Sequence, residues 1–229
     1  MLPDSRRTPL RDPVLAAALS SLLPGAGQAL KGRFTQAAAA FLVSAGLLGC
    51  TRLIGMAYGT GAAVLFFMLL VLPWWAGQAY DAWLTAQSGE GGLRRTVAVI
   101  RERAHDVRYL GALFLLTALT DFYIIVANPD YSLTVFCTKP AGLLGVLAKA
   151  QSPTLHTLIG YGFLRLRRWS LLLYMAYAAF GLLNGTVNYA CFGYGRVRTV
   201  FLVTLIACTA YIFWRRHCFT PPQARSHGL

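Results

Sequence analysis

Acidic residues are scarce in this chain. Eight Asp and Glu stand against 21 Lys and Arg, and only 13% of the residues are charged. A soluble domain carries about 25%. With four histidines beside those eight carboxylates, a hydrolase or metal enzyme has few residues to work with. No Ser/His/Asp, Cys/His or paired-carboxylate arrangement stands out. The five cysteines (50, 137, 191, 208 and 218) form no CxxC and no Cys/His spacing that suits zinc. Most of them read as small apolar side chains. The sequence therefore calls for no catalytic set, no metal and no cofactor, and the protein reads as a non-enzyme.

What is abundant is apolar sequence, at 56% of the residues. Several runs approach the ~20 residues that a membrane-spanning helix needs. The net charge of +13 invites a nucleic-acid reading, but the arginines sit in short clusters at the ends of apolar runs. That is the positive-inside pattern together with attraction to anionic lipid. The expected partners are membrane lipids, anionic on the cytoplasmic face, and other membrane protein subunits, with no nucleic acid.

The chain is organised around a Pro/Gly break at 21–33, which holds Pro24, Gly25, Gly27, Gln28, Lys31 and Arg33. Pro24 removes a backbone donor and tends to end a helix. At membrane depth, freed backbone groups survive only where protein or a water-filled cavity satisfies them. The apolar run 13–23 before the break is too short to cross. The break thus predicts a re-entrant or interfacial half-helix over 13–30.

Before it, residues 1–12 are polar and contain Arg6, Arg7 and Arg11. A signal peptide, with Ser5-Arg6-Arg7 hinting at a twin-arginine one, is weighed and set aside, because Asp4 and Asp12 dilute the charge and Pro9 sits where that signal wants an apolar residue. After it, 34–54 and 62–83 read as spans, the second with Pro73 as a tolerated kink and an aromatic belt at its end. The stretch 85–108 is a basic connector, with an amphipathic helix over 94–108 suited to the membrane surface. A second module follows at 109–218, with spans at 109–126, 169–189 and 197–214. Between them, 140–164 is interrupted by Lys149, Gln151, Ser152, Pro153 and His156, and reads as two half-helices, 140–150 and 154–164. The tail 219–229 is polar and reads as disordered.

The expected fold is an all-α integral membrane protein without β-sheet. It has about six spans plus the N-terminal half-helix. Counting Lys and Arg near the span ends favours a crossing at 140–164. With the N-terminus put in the cytoplasm, that crossing leaves both termini cytoplasmic.

Residues 14–84 resemble a small bacterial module of two transmembrane helices. Its pattern is Ser-x-x-Pro-Gly-x-Gly-Gln, then x-x-x-Gly-Arg, a span, a turn, and a second span ending near an Asp. Here those positions are Ser21, Pro24, Gly25, Gly27, Gln28, Gly32, Arg33 and Asp81. One departure is Leu30, where that module often has Tyr. The resemblance implies an architecture and is nearly silent on activity. No family resemblance extends over 93–229.

Within this frame, Asp81 reads as the partner of Arg33 or Lys31, completing a structural turn with Pro24, Gly25, Gly27 and Gln28. The alternative is a solvated or capping carboxylate. Lys31, Arg33, Arg94, Arg95, Arg101, Arg165, Arg167 and Arg168 are the candidate contacts to lipid or a partner. Asp121, Lys149, His156, Asn184 and Asn188 lie deepest in predicted spans, where ionisable groups are costly and usually face a bundle interior or a cavity. They either line a solute or proton path, or serve structure. Under the structural reading Lys149 and His156 snorkel, while Asn184 and Asn188 hydrogen-bond to a neighbouring helix. Cys137 and Cys191 both fall in outer loops of the expected topology, where a disulfide would form if the geometry allows. Two readings of function remain: an accessory or scaffold subunit of a membrane assembly, or a small solute or ion transporter or channel.

Overall fold

The computed structural model describes residues 12–88, 92–128 and 132–219. The expectations for the basic N-terminal segment and for the tail beyond Phe219 lie outside the described residues. The described chain is helical. It contains no strand, and Val135 and Thr138 form an isolated antiparallel bridge. It divides into two compact units, one up to Arg103 and one from Ala104 onward.

The first unit opens with α1 (Pro13–Leu22). Asp12 caps it, its carboxylate accepting from the Val14 N–H at 2.8 Å, and Pro13 occupies the first turn. Proline there costs nothing, since that N–H has no helical partner. Leu23 is extended, and Gly25 takes a φ of +90° to start α2 (Ala26–Leu30). A Cβ on Gly25 would collide with the Ala37 carbonyl as well as strain the backbone. α3 (Phe34–Tyr58) follows. Next come α4 (Thr60–Phe66), a wide π turn (Phe67–Val71) and α5 (Leu72–Ser88), joined without a break. The π turn lies where Pro73 withdraws its N–H from the Leu69 carbonyl, so the kink has a local cause. α1 packs chiefly on α5. α6 (Leu93–Glu102) returns against the end of α5. It stops earlier than the basic helix expected at 94–108, because Ala104 adopts a φ of +53° and His105 begins the next helix.

The second unit consists of α7 (His105–Ala127), α8 (Gly142–Leu164), α9 (Arg168–Phe192), α10 (Arg196–Trp214) and a 3₁₀ turn (Arg216–Phe219). α7 and α8 pair most closely. Gly111 and Gly160 sit at their crossing, and a Cβ on either would lie 2.8 Å from the other's carbonyl oxygen. α9 packs on α8 and α10 on α9, with Gly181 and Gly185 facing Leu205 and Leu202. The core gathers Val107, Ile159, Phe163, Tyr174, Ala178 and Ile212.

Two expectations are corrected here. The stretch 140–164 is one helix rather than two halves. Pro153 leaves the Lys149 carbonyl without its helical N–H, but neighbouring hydroxyls keep the adjacent carbonyls bonded. Thr154 Oγ1 donates to the Ala150 carbonyl at 2.8 Å, and Thr157 Oγ1 to that of Pro153 at 2.7 Å. Such rescue is what allows proline inside apolar helices. Phe219, placed at the start of the tail, is instead buried, with its ring centroid 5.0 Å from that of Phe163.

Four helices are long and apolar enough to cross a membrane: Phe34–Tyr58, Thr60–Leu84, His105–Ala127 and Arg168–Phe192. About six were expected; α8 and α10 are not among these four. α8 carries six polar or proline residues at 149–156, and the apolar part of α10, Arg198–Trp214, is shorter. Between 6% and 22% of the most apolar window of each of the four is buried. Most of their apolar surface therefore faces outward, which water does not tolerate over so large an area.

The α7–α8 crossing supplies a direct test. Gly111→Val and Gly160→Val must push the helices apart, and each should cost about 1–3 kcal/mol. Thermal unfolding in mild detergent should show a clear loss for both. Gly46→Ala, where a Cβ meets open space, should leave the midpoint unchanged or raise it.

Candidate functional site

Three polar clusters hold most of the residues that the sequence singles out. The first lies in the N-terminal unit, where the Pro/Gly break meets the end of α5. Ser20, Gln28, Gln78, Asp81 and Thr96 are all buried there. Ser20 Oγ donates to Gln28 Oε1 at 3.1 Å and accepts the Gly27 N–H at 3.0 Å. Gln28 Nε2 reaches the Gln78 carbonyl at 3.2 Å and Asp81 Oδ2 at 3.3 Å. The other carboxylate oxygen, Oδ1, accepts from Thr96 Oγ1 at 2.9 Å and from the Gly92 N–H at 3.1 Å. One carboxylate thus joins α2, α5 and α6.

Lys31 Nζ donates to the Ala82 carbonyl beside this cluster. Burial holds the Lys31 pKa below its usual value, with the nearby Asp81 charge working the other way. Asp81 is therefore neither a solvated carboxylate nor merely an ion-pair partner. The serine that reaches Gln28 is Ser20, while Ser21 Oγ donates to the Ala17 carbonyl of its own helix. Ser20, Gln78 and Thr96 are missed by a reading of the sequence. Thr96 alone leaves a sign, as a hydroxyl in the strongly amphipathic α6.

The second cluster crosses α7, α8 and α9. Asp121 Oδ2 accepts from Ser152 Oγ at 2.6 Å and lies 2.8 Å from His156 Nδ1. His156 Nε2 lies 2.9 Å from the Tyr177 hydroxyl. With Nδ1 carrying the proton, His156 donates to Asp121 and accepts from Tyr177. The Phe114 ring sits 5.5 Å from that of His156 and 6.2 Å from that of Tyr177, closing the cluster on its apolar side. Chemically this is a short proton-sharing chain that ends at Tyr177. Ser152 bonds the carboxylate rather than the imidazole, so the set is not an activated serine nucleophile.

Lys149 lines a groove of about 940 Å³ between α7 and α8, which Asp121 and His156 do not line. The sequence reading of Asp121 with His156 and Lys149 thus separates into a buried chain and a groove wall. Tyr177 and Ser152 were not foreseen, although Ser152 and His156 share an α8 face at i, i+4.

The third cluster corrects the reading of the two asparagines. Asn184 and Asn188 do not bond a neighbouring helix; they hold the loop at 134–138. Asn184 Oδ1 accepts the Phe136 N–H at 2.8 Å, and Asn188 Oδ1 accepts that of Cys137 at 2.7 Å. Asn188 Nδ2 donates to the Thr134 carbonyl at 3.3 Å. Phe136 and Cys137 have φ of +44° and +65°, a left-handed turn rarely made without glycine. Beside it, Cys137 and Cys191 form a disulfide, with Cα atoms 6.0 Å apart. Two side-chain amides and one covalent link keep the turn in place.

A further pair joins the ends of this unit. Arg215 Nε lies 2.7 Å from Asp106 Oδ2, and its Nη2 donates to Oδ1 at 2.9 Å. The Tyr211 hydroxyl donates to the same carboxylate at 2.6 Å. No local pattern announces contacts across so long a stretch of chain.

Of the basic candidates, Arg94, Arg95, Arg101, Arg165, Arg167 and Arg168 are exposed, and Lys31 and Arg33 are half-buried. Among the described residues no group of three or more His, Cys, Asp or Glu is placed to hold a metal ion. No protein-family model, curated protein or solved structure matches the chain.

Two measurements check these assignments. Gln28→Ala strips partners from buried Ser20 and Asp81 and should lower stability by about 1–3 kcal/mol, whereas Ser21→Ala should be near neutral. Equal unfolding midpoints for both variants would contradict the role given to Gln28. Separately, alkylation of non-reduced protein should leave Cys137 and Cys191 unmodified while exposed Cys50 reacts. Cys191→Ser should cost about 2–4 kcal/mol.

Proposed function

We propose that this chain is a non-catalytic polytopic protein of a bacterial inner membrane, serving as an accessory or scaffold subunit of a membrane assembly. The observation that carries this reading is how the deep polar groups are engaged. Asp121 and His156 hold three helices together, and Asn184 and Asn188 hold a loop. Buried polar groups so bonded rigidify a bundle. The outward apolar faces of the spans then suit lipid and the helices of partner subunits.

In the topology that goes with this reading, α3, α4–α5, α7, α8, α9 and α10 cross the membrane. α1 and α2 re-enter from the cytoplasmic face, and both termini are cytoplasmic. The arginines at 94–101 and 165–168 then meet anionic headgroups on the inner side. The loop at 134–138 and its disulfide face the oxidising side, where such a bond persists.

A second reading, a small proton or solute transporter, has one observation in its favour: the Asp121–His156–Tyr177 chain joins groups able to pass a proton. Among the described residues its last hydroxyl, Tyr177, has His156 as its hydrogen-bond partner and goes no further.

Mild-detergent purification followed by native mass spectrometry should retain a partner protein or bound acidic lipid. A bare monomer with neither would overturn the scaffold reading. In proteoliposomes, proton or solute flux should be the same for wild type and Asp121→Asn. A flux that this substitution abolishes would install the transporter reading instead.

A further inference from the structure

The end of the second unit where α8 turns into α9 gathers cations and has no carboxylate to spare for them. No Asp or Glu follows Asp130 in the sequence, and Asp130 itself lies outside the described residues. Asp106 is taken up by Arg215 and Tyr211. Asp121 is taken up by Ser152 and His156, about 22 Å further along α7.

Four exposed arginines meet at this end. Arg165, Arg167 and Arg168 lie in and beside the turn between α8 and α9. Arg108 joins them from α7, whose Gly111 packs against Gly160 and Leu164 of α8. Among the described residues, none of the four guanidinium groups has a hydrogen-bonded or ionic partner; Arg165 lies over the Tyr161 ring at 6.0 Å.

The turn that displays them is held from within. Leu166 takes a φ of +51° and packs against the core. The Arg167 N–H donates to the Gly162 carbonyl at 2.9 Å, and Ser170 Oγ donates to the Arg167 carbonyl at 2.6 Å. Gly162 and Ser170 approach so closely that a Cβ on the glycine would collide. Bending the turn therefore cannot part the arginines. Like charges held together repel, and a bound anion relieves the repulsion.

Depth and charge select that anion. Tyr161 and Trp169 stand within one turn of the arginines and are 50% and 42% exposed. Exposed Tyr and Trp at the end of an apolar helix mark the level of lipid headgroups. Basic clusters at that level bind phosphate headgroups, and a guanidinium takes phosphate through two parallel N–H···O bonds. A single diester phosphate brings one negative charge to four cations. A second phosphate in the same molecule adds another charge at high effective concentration.

We propose that this end of the second unit binds one lipid whose headgroup carries two phosphates, held by Arg165, Arg167 and Arg168 with Arg108 beside them. The site deepens the headgroup contact of the scaffold reading and rests on the membrane-spanning reading of α8 and α9.

Native mass spectrometry of the full chain in mild detergent tests this, with cardiolipin or phosphatidylglycerol added at equal total phosphate. One cardiolipin should be retained per chain, about tenfold more than phosphatidylglycerol. Arg167→Gln with Arg168→Gln should remove the preference. The charge-matched pair Lys139→Gln with Arg198→Gln, at the other end of the unit, should leave it unchanged. Equal retention of the two lipids would overturn the proposal, as would an equal loss in both Gln pairs. So would displacement of the lipid by inorganic phosphate. A partner protein retained without any lipid preference overturns the lipid site and leaves the scaffold reading standing. In vesicles, Lys139→Cys and Arg165→Cys are treated with an impermeant thiol reagent and read by peptide mass. Reaction from opposite faces without a cardiolipin preference overturns the lipid site alone. Reaction from the same face overturns the spanning reading of α8, and the lipid site with it.

Discussion

A polar group removed from water must find a partner inside the protein, and the rest of this structure depends on that requirement. In lipid or in a packed core, an unbonded donor or acceptor costs several kcal/mol. The chain has few ionisable groups, and those that are buried are used as joints. Asp81 joins three helices of the first unit. Asp121 links α7 to α8, and through His156 to α9. Asp106 ties the start of α7 to the end of α10. Three of the eight acidic residues thus mark the places where segments distant in sequence are fastened together.

The same requirement explains how the two prolines within long helices are carried. Pro73 follows a π turn, and Pro153 lies among threonine hydroxyls that bond neighbouring carbonyls. In both cases the loss of one N–H is absorbed by a local adjustment, and the helix continues. It also explains the loop at 134–138. A turn with two left-handed residues that are not glycine is unfavourable by itself. It persists because Asn184 and Asn188 accept its N–H groups and a disulfide closes beside it.

Asp121, His156, Asn184 and Asn188 are the deep polar groups among these joints, and they hold helices and a loop together. That engagement is what the proposed structural role rests on.

Apolar run lengths, the Pro/Gly break and the clustering of arginine were legible in the sequence, because each is a local property of neighbouring residues. They led to the helical class, to the four helices long and apolar enough to cross a membrane, to the shortness of α1 and to the special standing of Gly25 and Gln28. The placement of Cys137 and Cys191 in outer loops of the expected topology raised a disulfide, and only their fold-imposed separation of 6.0 Å closed it. What the sequence left undecided are choices of partner: Asp81 with Gln28 and Thr96, Asp121 with Ser152 and His156, and two asparagines with a loop rather than a helix. The continuity of α8 through Pro153 belongs to the same class. A hydrogen bond is made with whatever donor packing brings within about 3 Å. Which donor that is depends on helix rotation and crossing, and these are settled only when all the helices pack at once.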